Sequence, residues 1–217
     1  MTGRFYVAIE GPIGVGKTTL ARLLHPQLGA QLLLEVFEEN PFLSDFYADR
    51  AKYAFQTQIF FLLSRYHQQR RTVQDMLATG KNLLADYTFA KDALFARINL
   101  QGDELDMYYK VHEALAEKIE KPDLLVYLQA STDTLMQRIA LRDRPYERQM
   151  ERSYIHELNL AYQDFFSKPF DHTPVLTIET DHLNIIQNPE HLKWVENRIR
   201  QSLNLSPFQP ALPLPEA

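Results

Sequence analysis

The run Gly11-Pro12-Ile13-Gly14-Val15-Gly16-Lys17-Thr18 lies between an apolar stretch, Phe5–Glu10, and a helical one, Thr19-Leu20-Ala21-Arg22-Leu23-Leu24. A glycine-rich turn that joins a buried strand to a helix leaves few folds open, because it is the first unit of a strand–loop–helix architecture. Every position satisfies the pattern Gly-x-x-x-x-Gly-Lys-Thr. The backbone N–H groups of such a loop, with the helix N-terminus behind it, can wrap an anionic phosphate. Lys17 then reaches the β- and γ-phosphates and the Thr18 hydroxyl ligates magnesium. The motif therefore predicts ATP and Mg2+ as ligands, with the phosphates held from Gly11 to Thr19. An ordinary glycine turn is the alternative, and the complete motif in this context argues against it.

The rest of the chain repeats the same alternation. Short apolar runs at Phe5–Glu10, Gln31–Val36, Asn82–Asp86, Asp123–Leu128 and Pro174–Ile178 are separated by long helical stretches. That is the pattern of an α/β fold, a parallel sheet with crossover helices covering both faces. Asn40-Pro41 and Asn188-Pro189 each read as an N-cap followed by proline at the first helical position. Leu192, Val195, Ile199 and Leu203 make an apolar stripe at helical spacing, as do Phe55, Ile59, Leu62 and Tyr66 in a long helix from Tyr53 to about Leu77. No internal repeat or linker divides the chain, which predicts one domain over residues 1–205. Residues 206–217 carry four prolines and read as an extended tail.

Composition narrows the function classes. With 217 residues, 45% of them hydrophobic, the chain can bury a real core. Acidic residues outnumber basic ones, 28 to 23, so no nucleic-acid surface is expected. Cysteine is absent, which excludes disulfides and thiolate chemistry and suits a cytoplasmic protein. A strand-like run begins by Phe5 with no charged segment before it, so no leader is expected. Apolar runs such as Ile59 to Leu63 are too short to span a bilayer. The seven histidines show no metal-ligand spacing.

Two carboxylates follow predicted strands. Asp86 ends an apolar run and is assigned to the metal side of the phosphate loop; a helix N-cap is the other role such an aspartate takes. Glu35 ends the run Gln31-Leu32-Leu33-Leu34, at the strand end where α/β folds place ligands. A kinase acting on a hydroxyl needs a proton acceptor, and Glu35 is better placed than Glu38 or Glu39. Gln58, Phe61, Leu62 and Arg65 share one helix face, which reads either as a solvated edge or as polar groups lining a pocket. Arg138, Arg142 and Arg144 form a local cationic cluster, either a lid over transferring phosphates or a surface patch balanced by Asp143 and Glu147.

In their order and spacing these segments resemble the deoxyribonucleoside kinases. The likeness runs over about residues 5 to 200. It rests on the phosphate loop, Glu35-Val36-Phe37, Asn40-Pro41-Phe42-Leu43 leading to Phe46-Tyr47, Phe55 to Arg65, Asp86-Tyr87-Thr88 and Arg142-Asp143-Arg144-Pro145-Tyr146-Glu147. The resemblance implies a five-stranded parallel sheet in the order 2-3-1-4-5 with an arginine-rich lid, and commonly a homodimer. It implies Glu35 as base for the sugar 5′-hydroxyl, Tyr47 and Glu147 on the 3′-hydroxyl, and Gln58, Arg65 and Asp92 on the nucleobase. Arg138, Arg142 and Arg144 would be the lid arginines, and Asp181-His182-Leu183-Asn184 falls where the family holds the donor base.

This chain departs from the family in two places. Much of the family carries acidic-Arg-Ser after the third strand, where Asp86-Tyr87-Thr88 stands here, so another group must do the work of that arginine. The Asp-Tyr pairing resembles the bacterial deoxyguanosine kinase branch, which places Tyr87 at the substrate and favours deoxyguanosine over deoxyadenosine. The stretch from Asp86 to Phe95 is also one residue short: counting forward selects Asp92 for the base, counting back selects Lys91. A thymidylate-type kinase would need cations for a monophosphate and an Asp-Arg start that is missing. A regulatory GTPase would need an Asn/Thr-Lys-x-Asp motif, and the sequence has none.

Overall fold

The computed structural model describes residues 4–37, 39–168, 170 and 173–205; the expected tail at 206–217 lies outside them, as does Glu38. Within them β1 (Tyr6–Glu10), β2 (Ala30–Leu33), β3 (Asn82–Ala85), β4 (Leu124–Gln129) and β5 (Val175–Glu179) form one sheet, ordered β2-β3-β1-β4-β5. Every pairing in it is parallel. All five apolar runs supply a strand, and the inner ones are the most covered: β1 is buried at all five positions. At the edge, β5 instead alternates buried Leu176 and Ile178 with exposed neighbours. Fully burying a side chain such as Val7 or Ile9 contributes about 1.5–3 kcal/mol each.

Helices α1 (Lys17–Leu24), α2 (Leu43–Ala48), α3 (Arg50–Gln68), α4 (Gln74–Ala78), α5 (Lys91–Asn99), α6 (Gly102–Ala116), α7 (Thr132–Arg142), α8 (Arg152–Phe166) and α9 (Pro189–Ser202) connect the strands. The long helix expected from Tyr53 is α3, continued into α4 through a π-helical turn at Gln69–Val73. Its buried stripe is Ala54, Thr57, Gln58, Phe61, Leu62, Arg65 and Tyr66. That stripe is rotated from the expected apolar one: Phe55 and Ile59 are only partly buried. Three polar side chains occupy the buried face in their place.

Two local expectations are corrected. Asn40 does not cap a helix, because α2 begins at Leu43. Its Oδ1 accepts from the Phe42 N–H at 3.0 Å and its amide donates to the Thr57 carbonyl, which ties the loop to α3. The second strand ends at Leu33 rather than Val36. The Glu35 N–H bonds to the Asp86 carboxylate at 2.8 Å, so a side chain replaces the ladder there. Asn188 does cap α9, accepting from the Glu190 N–H. No helix among the described residues is long and apolar enough to cross a membrane.

Candidate active site

The parallel strands deliver β1, β3 and the segment after β2 to one edge of the sheet, and the site is built where they end. The loop after β1 requires glycine. At Gly14, φ is +88°, and a Cβ would stand 2.8 Å from the Leu135 carbonyl oxygen on α7. Gly16 caps α1 at φ +102°, where its backbone conformation rather than crowding favours glycine. Lys17 folds back over the loop, donating to the carbonyls of Gly11 at 2.6 Å and Pro12 at 3.1 Å. Burial first, and then the nearby Lys91 charge, pull its ammonium down to about 8.

Thr18 Oγ1 donates to Asp86 Oδ2 at 2.5 Å. Burial raises the Asp86 carboxyl above its ordinary range, against the bonds from Thr18 and the Glu35 N–H. Glu35 is more constrained still. Arg65 donates to Oε1 from Nε at 2.7 Å and also from Nη2, and Lys91 Nζ donates to Oε2 at 2.6 Å. Burial opposes the charge of Glu35, yet the Arg65 guanidinium and then the Lys91 ammonium hold its carboxyl well below the usual carboxylate range. The third Arg65 contact, from Nη1, goes to Asp92, which is fully buried on α5.

Two cavities meet at the loop. One, of about 260 Å³, is lined by Lys17, Thr18, Glu35, Tyr47, Gln58, Arg65, Asp86, Lys91, Arg144 and Glu147 among others. The other, of about 660 Å³, is lined by Arg138, Thr180 and the segment 181–187. Gly14, Gly16, Thr19 and Arg142 border both. The arrangement sets a smaller cavity beside a wider groove, with Gly14 and Gly16 of the loop bordering both. Glu147 gathers the lid: Arg142 reaches both its oxygens at 2.6 and 2.7 Å, and Arg144 approaches at 3.6 Å while lying 4.2 Å over the Phe37 ring. Tyr47 stacks on Tyr146 beside them.

Residues 7–204 match the family model described as deoxynucleoside kinase. This chain belongs to the deoxynucleoside kinase family. A deoxyguanosine kinase of Bacillus subtilis is 34% identical over 199 residues, covering 90% of this chain and 96% of its own length. A deoxyadenosine kinase of Dictyostelium discoideum is also 34% identical, over 80% of this chain and 71% of its own. The solved deoxyadenosine kinase of M. mycoides with bound dCTP superposes with a TM-score of 0.78 at 25% identity, over 90% of this chain and 99% of that one.

In this deoxynucleoside kinase the acceptor-side and arginine residues singled out from sequence, Tyr87 apart, fall into three groups. Lys17, Thr18, Glu35, Tyr47, Gln58, Arg65, Asp86, Arg142, Arg144 and Glu147 share the smaller cavity. Gln58 and Arg65 are 2% and 5% exposed, so the solvated-edge reading of that helix face is excluded. Asp92 stands behind the lining and joins it through Arg65. Arg138 is apart from the other two arginines, bonded to the Val15 carbonyl and to Thr180, and lines the wider groove.

Tyr87 departs from its expected place. It is fully buried, outside the residues lining the cavity, and its hydroxyl donates to Gln68 Oε1 at 2.6 Å. Asp86 turns toward Thr18, so the next side chain projects the other way, into the cluster of Tyr6, Leu33, Val73 and Leu77. Sequence reasoning missed Glu10, fully buried at the end of β1, whose carboxylate accepts from Gly11 N–H, Thr88 N–H, Thr88 Oγ1 and the Tyr162 hydroxyl. It braces the phosphate loop against the segment after β3. An acid closing an apolar run directly before the loop was the available signal. Lys91, which the count back from Phe95 selects, lines the cavity from α5 together with Phe95.

Proposed function

We propose that this kinase transfers the γ-phosphoryl group of ATP to the 5′-hydroxyl of a purine deoxynucleoside, deoxyguanosine in preference, in cytoplasmic nucleotide salvage. The observation that carries the reading is the placement of the Glu35 carboxylate in one cavity with Lys17, Thr18 and Asp86. A carboxylate so placed can take the hydroxyl proton as the oxygen attacks phosphorus. The wider groove, bordered by Asp181, His182, Leu183 and Asn184, suits the base of the donor nucleotide. Thr18 Oγ1 and Asp86 offer hard oxygen ligands side by side, which fit Mg2+ completed by phosphate and water oxygens. When bound, that ion offsets negative charge on the phosphates. Exposed Leu63 on α3 and Met107 on α6 supply apolar surface for a homodimer through the long helices, which sedimentation would check.

For the base, two features favour guanine. Three of the five Arg65 N–H groups serve Glu35 and Asp92, leaving two for acceptors such as O6 and N7. The Gln58 Oε1 atom in the cavity lining is a buried acceptor without a partner, suited to the N1–H donor of guanine, and Asp92 acts from behind it by orienting Arg65. Wild type is expected to show kcat/KM for deoxyguanosine about tenfold or more above that for deoxyadenosine. Asp92→Ala should remove that preference. A wild-type preference for deoxyadenosine, unmoved by Asp92→Ala, would support the second reading, in which the Gln58 amide meets adenine bidentately.

The lid makes a separate expectation. Arg142 borders both cavities, so Arg142→Ala should lower kcat by about 10²-fold, the usual worth of one group aimed at developing charge. Nucleoside affinity, read by calorimetry, should change much less. A raised KM at constant kcat would mark Arg142 as a binding group only.

A further inference from the structure

The hydrogen bonds on Glu35 are divided unequally between its two oxygens. Arg65 donates to Oε1 from both Nε and Nη2, whereas among the described residues Oε2 receives only the Lys91 ammonium. Each carboxylate oxygen has two lone pairs, so Oε1 is filled and Oε2 keeps one open. Lys91 itself occupies a position that disfavours a cation. It opens α5, where the helix dipole already places positive charge, and it is 6% exposed. Its neighbour Asp92 pairs with Arg65 and leaves Lys91 to Glu35. Lys91 lines the cavity that contains Lys17, Thr18 and Asp86, and Glu35 engages one of its three N–H groups.

We propose that Lys91 is a second catalytic cation, presenting Glu35 Oε2 as the proton acceptor and passing to the transferring phosphoryl group as that oxygen takes the proton. The inference rests on the kinase reading above and names a residue for its transfer step. As the 5′ O–H bond breaks, the proton goes to Oε2 and the electron pair forms the new oxygen–phosphorus bond. The bond from the γ-phosphorus to the β–γ bridging oxygen breaks, and its pair leaves with ADP. Glu35 is then neutral, so the ion pair with Lys91 is gone and the ammonium is released to the phosphoryl oxygens. An interaction gained only along the reaction coordinate raises kcat and leaves KM largely alone.

Glu35→Gln imitates the protonated carboxyl, which allows a test without turnover. Tripolyphosphate binding is measured by calorimetry in wild type, Lys91→Met, Glu35→Gln and the double variant, a cycle that isolates the coupling. Glu35→Gln is expected to tighten binding by about tenfold when Lys91 is present, the scale of a charge-assisted contact, and far less beside Lys91→Met. Equal tightening in both backgrounds would overturn the proposal. In turnover, Lys91→Met should lower kcat by about 10²-fold with little change in nucleoside KM, while Lys91→Arg stays within about tenfold of wild type. A loss confined to KM would also overturn it. Lys91→Gln carries the cycle if Lys91→Met does not fold. A wild type that phosphorylates no deoxynucleoside would end the functional reading, while the tripolyphosphate cycle still decides the role of Lys91.

Discussion

Glu35→Gln is expected to lower kcat by about 10²–10⁴-fold, the usual contribution of a positioned general base. The amide keeps the size of the side chain and can still accept from Arg65, but it cannot take the hydroxyl proton. Nucleoside affinity should therefore change little, and melting should confirm that the variant is folded. The neighbouring Glu39→Gln is the matched control, since Glu39 is exposed and outside the residues lining the cavity. If the large loss followed Glu39→Gln instead, the acceptor has been assigned to the wrong carboxylate. Steady-state turnover with both variants at saturating nucleoside separates the cases.

Lys17→Ala is the other change with a large expected effect. Lys17 is tied to the Gly11 and Pro12 carbonyls and held in a buried setting that disfavours its charge. A phosphate placed in the loop would relieve that disfavour, which makes Lys17 a group whose interaction grows as charge collects on the transferred phosphoryl oxygens. Its removal should lower kcat by about 10²–10³-fold or more. Nucleoside binding should survive, because Gln58, Arg65 and Tyr47, proposed to hold the acceptor, line the same cavity independently of Lys17. Thermal stabilisation by deoxyguanosine, set beside turnover for the same purified variant, reads both quantities. Near-normal turnover would remove the phosphate loop from the mechanism.

The parts of this protein that were legible from sequence are those governed by local rules. A glycine-rich loop with φ values that side chains resist, preceded by an apolar run and followed by a helical one, has one structural solution, and residues 11 to 18 adopt it. The five apolar runs each supplied a strand, because a sheet covered on both faces needs no polar alternation in its inner strands. The cap at Asn188 needed only its own neighbours. Asn40 shows the limit: the same dipeptide signal was diverted because the Thr57 carbonyl, seventeen residues away, offered its amide a buried partner.

The site followed the same division. Sequence determined which residue types could carry phosphoryl transfer, since Lys17, Thr18, Glu35 and Asp86 stand at the ends of strands or the start of a helix. Only the tertiary structure decided how those charges pair. Arg65 on α3, Glu35 after β2, and Lys91 and Asp92 on α5 are far apart in the chain and form one ionic cluster. Tyr87 went to the apolar cluster and Lys91 to the cavity, although both lie within five residues of Asp86. The physical reason is that a side chain's direction follows from the local backbone, whereas its partner depends on which elements the sheet order brings together. Ion pairing in a buried site is strong over a few ångströms and indifferent to separation along the chain, so it is settled only when the elements have packed.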